Sequence, residues 1–185
     1  LVGFVPAGVR ETLPIDPLVT FDNDFTGQRA SEALIVGADL LAGDIATAVV
    51  ADPQLRDEVV GCKPTGPSDE ACFRSFLATF GRRAMRRTLL PADVDRFAVF
   101  LEHGVQAGDF YVAVDSALRA FLQHPEFLYR VEIGTPVLEK PGVKKLGDFE
   151  LAARLSYFLV GSTPEDWLLD EAEAHLLRAH ASGLR

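Results

Sequence analysis

Cysteine, methionine and tryptophan are nearly absent: two, one and one in 185 residues. Two thiols are too few for a scaffold stapled by several disulfides, or for a four-cysteine zinc centre. No C-x-x-C-H occurs, so the chain attaches no c-type haem through its own cysteines. Basic residues are scarce as well, 18 Lys and Arg against 27 Asp and Glu, for a net charge of −9. Nucleic-acid binding is thereby excluded as a general function, because a phosphate backbone is held by surplus cations. The most apolar run, LIVGADLLAG at 34–43, is interrupted by Asp39 and falls short of the ~20 residues of a membrane span, so no transmembrane segment is expected. Neither G-x-S-x-G nor a glycine-rich phosphate loop is present, and no serine nucleophile has a recognisable partner.

Apolar residues are plentiful at 48%, which suits a globular chain. The aromatics are lopsided, 13 Phe against 3 Tyr, and rings without a polar handle favour a core over a wet interface. Residues 1–27 show no sustained period and read as an irregular segment, with Asp22, Asn23 and Asp24 as weak candidate ligands for a hard cation. From Gln28 to Val50 the stripe Leu34, Ala38, Leu41, Ile45, Val49 predicts an amphipathic helix, with close packing or a bend at Gly37 and Gly43. Pro53 opens a short helix.

Cys62 and Cys72 bracket a loop holding Pro64, Gly66 and Pro67. Spacing alone leaves a small-loop disulfide and two buried thiols equally open. Ser68 is the expected N-cap of the next helix, which carries Phe73, Phe76, Leu77, Phe80 and Ala84 on one face. Arg82, Arg83, Arg86 and Arg87 cover its far end, placed to grip an anion or an acidic partner, or to pair with acids such as Asp93 and Asp95. Pro91 starts a helix with Val94, Phe97, Leu101 and Val105 inward, ended by Gly104 and Gly108. Phe110, Val114, Leu118, Phe121 and Leu122 mark another, broken at His124-Pro125.

Residues 133–147 read as a loop or a hairpin turning at Pro141-Gly142. Asp148 is the expected cap of a helix with the stripe Leu151, Leu155, Phe158, Leu159, and Glu150 stands four residues before Arg154. Pro164 opens a last helix carrying Trp167, Leu168, Ala172 and Leu176. Arg130 and Arg154 need acceptors, for which Glu132 and Glu150 are the natural choices.

Three of these stretches, taken in order, are CKPTGPSDEACFRSFLATFGRRAMRR (62–87), HPEFLYRVEIG (124–134) and DFELAARLSYFLVGSTPEDWLL (148–169). Together they resemble a family of large secreted planctomycete and myxobacterial surface proteins. Those proteins are built from domains of unknown function beside c-type cytochrome modules, and FDN at 21–23 fits the segment just ahead. The likeness covers residues 20–172. It departs at Met85, where an aromatic is usual, at Leu90, where a Thr-like cap is usual, and at Val160, where Trp is frequent. It also departs at Glu126, where His is common.

The resemblance implies an extracytoplasmic location and, with it, a Cys62–Cys72 disulfide. It implies a helical section followed, in complete proteins, by a C-x-x-C-H segment. The chain starts at Leu1 without methionine and stops within a helical pattern, so it is expected to be part of something longer.

The expected fold is mainly α, an orthogonal bundle of about six to seven helices with a long irregular N-terminal segment and at most one small hairpin. The expected parts are that segment (1–27), a helical domain (28–132), the loop (133–147) and the start of a second helical domain (148–185). The expected function is a non-catalytic helical scaffold supporting electron transfer by a haem module outside this chain. Its partners would be the remaining domains of the same protein or that module. On that view His124 and Met85 are candidate haem-facing residues, and no cofactor is bound by this chain alone. Two alternatives are a surface module whose arginines hold an acidic glycan or protein, and part of an extracellular oxidative enzyme.

Overall fold

A computed structural model describes residues 1–6, 12–14 and 31–177. Asp22, Asn23, Asp24 and His180 lie outside the described residues. The fold is mainly α, with one two-stranded antiparallel sheet. In chain order the helices are α1 (Glu32–Ala51), α2 (Pro53–Val60), α3 (Glu70–Met85), α4 (Pro91–Ala98), α5 (Leu101–Ala107), α6 (Phe110–Leu122) and α7 (Pro125–Leu128). Strands β1 (Thr135–Pro136) and β2 (Lys144–Lys145) follow, then α8 (Asp148–Val160) and α9 (Asp166–Glu173).

Short polar residues start the first three helices. The Ser31 hydroxyl accepts from the Leu34 N–H, and Asp52 accepts from the N–H groups of Gln54 and Leu55. The α3 cap is Asp69 rather than Ser68: its carboxylate accepts from Cys72 N–H at 3.0 Å and also from Thr65 N–H and hydroxyl at 2.9 Å each. A carboxylate reaches both the helix and the loop before it, which a serine hydroxyl one residue earlier does not. The loop is closed by a Cys62–Cys72 disulfide, with Cα atoms 5.9 Å apart.

The core forms where the phenylalanine face of α3 meets α6. Phe73, Phe76, Leu77, Leu118 and Phe121 are fully buried. Phe97 of α4 stacks on Phe121 with ring centroids 4.0 Å apart. Gly81 lets α3 lie directly against Leu89 and Phe121, because a Cβ there would meet Leu89 Cδ1 at 2.4 Å and the Phe121 ring at 2.8 Å. The apolar face of α1 packs along α6. Gly37 and Gly43 are close-packing positions: a Cβ at Gly37 would strike Thr12 O, and one at Gly43 the Arg119 guanidinium. By length and composition α1 is also apolar enough to cross a membrane, which the interruption at Asp39 had argued against.

Four further expectations are corrected. The helix expected from Pro91 to Gly108 is two helices, joined at Val99-Phe100 by i→i+3 bonds, and Val105 stays exposed. Gly104 sits inside α5 and not at its end, because a side chain there would press on Ala113 Cβ and Asp109 O at 3.0 Å. Gly147, not Asp148, precedes α8, and Asp148 is buried against the His175 imidazole at 3.0 Å. Helix α9 begins at Asp166, and Pro164 is buried in the turn before it.

The α8 stripe is corrected too. Ala152 and Ser156 face inward, while Phe158 is 83% exposed and Leu159 71%. The small side of α8 meets α9 in a cluster of Ala152, Leu168 and Ala172, separate from the main core. In α9, Leu168, Leu169 and Ala172 are buried and Trp167 is not. Periodicity marks an apolar face but does not say which element covers it.

Candidate functional site

The end of α3 is built to hold α7, α8 and α9 in place. On the last turn of α3, Arg82 donates to Asp170 at 2.7 Å and Glu173 at 3.1 Å, both on α9. Arg83 forms a two-pronged pair with Asp166 at the start of α9, and its carbonyl accepts from the Thr163 hydroxyl at 3.2 Å. Asp166 stabilises the charged Arg83 and is in turn held below the usual carboxylate range by it.

Arg86 caps α3 in the left-handed region at φ 56 and is 6% exposed. That backbone conformation costs about 1 kcal/mol for a residue with a Cβ. It carries the guanidinium under α7, where it donates to the carbonyls of Ala84, Glu126, Phe127 and Tyr129. Carbonyls that α7 cannot satisfy internally are thus satisfied by a cation. Arg87 takes Glu126 with two N–H groups, at 2.9 and 3.2 Å, and Asp93 at 2.7 Å. The hydrogen bond to Glu126 is the main cause raising the Arg87 pKa, and Arg87 is the main cause lowering that of Asp93.

Every arginine proposed from sequence as an anion or partner contact therefore has internal acceptors. Of the two acids suggested for them, Asp93 takes Arg87, whereas Asp95 pairs with Arg74 at 2.8 Å.

The candidate haem-facing residues have structural employment as well. Met85 is buried in the main core at 5% exposure. The Nδ1 of His124 accepts from Glu126 N–H at 3.2 Å and so caps α7, with its ring 6.1 Å from that of Phe97. Both cysteines are joined to each other, so the chain offers no thiol for thioether attachment. These residues do not fit a haem bound covalently to this chain.

Sequence reasoning missed the role of Glu150. Its Oε1 accepts from Ile133 N–H at 2.6 Å and Gly134 N–H at 3.0 Å, and its Oε2 from Gly147 N–H at 2.6 Å. One carboxylate thus ties both ends of the 133–147 segment to α8. Burial pushes its pKa up, but the three N–H groups outweigh this and hold it below the usual range. Its third-residue position in α8 is a capping-box signal for Gly147; nothing local signals Ile133 or Gly134. Arg154 consequently pairs with Glu132 and not with Glu150, while Arg130 lies over the Tyr157 ring at 4.9 Å.

Two family models match the chain. Residues 72–132 match PSD5, described as a protein of unknown function (DUF1595). Residues 146–183 match PSD4, described as a protein of unknown function (DUF1592). No curated protein and no solved structure matches. The arginine contacts gain meaning from these bounds: Arg82 and Arg83 lie in the PSD5-like segment, and Asp166, Asp170 and Glu173 in the PSD4-like one. Glu150 supplies a second tie, from the PSD4-like segment to Ile133 and Gly134 at the edge of the PSD5-like one. Among the described residues, no group of three or more His, Cys, Asp and Glu is placed to hold a metal ion.

Proposed function

We propose that this chain is a non-catalytic helical scaffold in an extracytoplasmic protein, positioning a haem-bearing electron-transfer module that lies outside it. The observation that carries the scaffold role is the commitment of Arg82, Arg83, Arg86 and Arg87 to internal acceptors. These four cations are spent on fixing α7 and α9 against α3, which is what a rigid support requires. The haem module rests on the resemblance of the three ordered motifs to cytochrome-associated surface proteins. The location rests on the same resemblance and on the disulfide, since such bonds persist in oxidising compartments.

An acidic glycan or protein gripping the arginine cluster would have to compete with these internal carboxylates and carbonyls. An oxidative enzyme would need ligands from elsewhere.

The test is the visible absorption spectrum, oxidised and reduced, of the complete protein from its native source. A c-type haem spectrum supports the reading; a colourless protein sinks it.

A further inference from the structure

A cleft of about 270 Å³ opens between the end of α3, the segment after α7 and the first turns of α8. Its walls are apolar: Met85, Val131, Ile133, Phe149 and Ala153. Val131 and Ile133 stand at its rim 52% and 68% exposed, an apolar surface that nothing among the described residues covers.

Four guanidiniums and three carboxylates complete the lining. Each carboxylate has its own donors: Glu126 has Arg87, Glu132 has Arg154, and Glu150 has three backbone N–H groups. Arg86 is spent on four carbonyls. Of the four arginines that line the cleft, Arg130 is the one with no oxygen acceptor among the described residues, and its guanidinium lies over the face of Tyr157. Lying over an aromatic ring uses none of a guanidinium's N–H donors in a hydrogen bond to oxygen. The cleft thus combines apolar walls, one surplus positive charge and one unspent fork.

We propose that this cleft binds a small monocarboxylate carried on an apolar or aromatic body. Arg130 takes the carboxylate with two parallel N–H bonds, and the body lies against Val131, Ile133 and Phe149. A carboxylate matches one fork in shape and in charge, whereas a phosphate dianion calls for a second unspent cation. The cleft volume sits at the small end of ligand sites, which limits the body to roughly one ring or a short branched chain. The site is independent of the haem reading, since the groups that would hold the ligand, Arg130, Val131, Ile133 and Phe149, are not the candidate haem-facing residues.

The test uses the full chain titrated with phenylacetate, with phenylacetamide as the neutral control, read by calorimetry and by amide chemical shifts. Phenylacetate is expected to saturate with a Kd on the order of 1 mM, as its few atoms allow, shifting the amides of 130–133 and 149–154. The amide is expected not to saturate. Arg130→Gln, on an exposed side chain, should weaken binding by about tenfold or more while the fold is kept. Ala153→Phe fills the cleft from α8 and should abolish binding with Arg130 still present. Absence of saturation by the unmodified chain, equal binding of the amide, or unchanged affinity in Arg130→Gln would each overturn the proposal.

Discussion

Arg87 and Glu126, 39 residues apart, meet as a two-pronged ion pair at 2.9 and 3.2 Å. The pair joins the end of α3 to the first turn of α7. Asp93 accepts from the same guanidinium, so three elements converge on one cation.

Replacing Arg87 by alanine leaves Glu126 without its donor and Asp93 with only the Leu90 N–H. The expected loss is about 1–3 kcal/mol, and Glu126→Ala should cost less because Arg87 retains Asp93. A double-mutant cycle on the two residues, read by urea unfolding, should give a coupling of about 0.5–3 kcal/mol. Strict additivity would show that the pair contributes nothing.

The α3–α9 contacts are exposed ion pairs, each worth about 0–1 kcal/mol. Arg82→Ala with Arg83→Ala should therefore change global stability little. It should raise amide exchange in α8 and α9 while leaving α3 and α6 protected. Uniform exchange in both parts would contradict the clamp. Asp166→Arg should partly restore protection in Arg83→Asp.

Gly81→Ala is expected to cost about 1–3 kcal/mol, since its methyl group has no room between Leu89 and Phe121. Thermal unfolding followed by circular dichroism reads this directly. A neutral result would mean that Leu89 and the Phe121 ring give way to the added methyl group.

Acid should weaken the fold through named carboxylates. Asp93, Asp166 and Glu150 all have folded pKa values below their ordinary ones. Each contributes stability that is present above the unfolded value of about 4 and disappears as pH falls through the folded value. The urea midpoint should hold steady down to about pH 5 and then decline, and Glu150→Gln should flatten that decline. A midpoint unchanged between about pH 5 and pH 3 would remove these groups from the account.

Reduction of the disulfide, or Cys62→Ser with Cys72→Ser, reopens a loop of about ten residues, for an expected loss of about 2–3 kcal/mol. Comparing oxidised and reduced unfolding midpoints checks it.

Most of the helices from α1 to α7 were legible because their signals are local, although α4 and α5 read as a single helix. The phenylalanine face of α3, the Pro91 start, the break at His124-Pro125 and the glycine stop at Gly108 each act within a turn of their own position. The site was legible only as a cluster of cations. Arg82 reaches an acid 88 residues away and Arg83 one 83 away, and no spacing rule names such partners. Glu150 was misread for the same reason: its i+4 neighbour Arg154 is a genuine local option, and three backbone N–H groups brought in by the 133–147 turn outcompete it.

Composition, periodicity and punctuation by themselves determined that this is a mainly helical chain with a phenylalanine core and two cysteines near enough to bridge. Such features depend on the few residues on either side. Which face of α8 is covered, which acid each arginine holds, and that Arg130 is left with an aromatic ring and an open cleft were decided by tertiary structure. Those outcomes are competitions between partners distant in the chain, and only the assembled fold sets the distances that settle them.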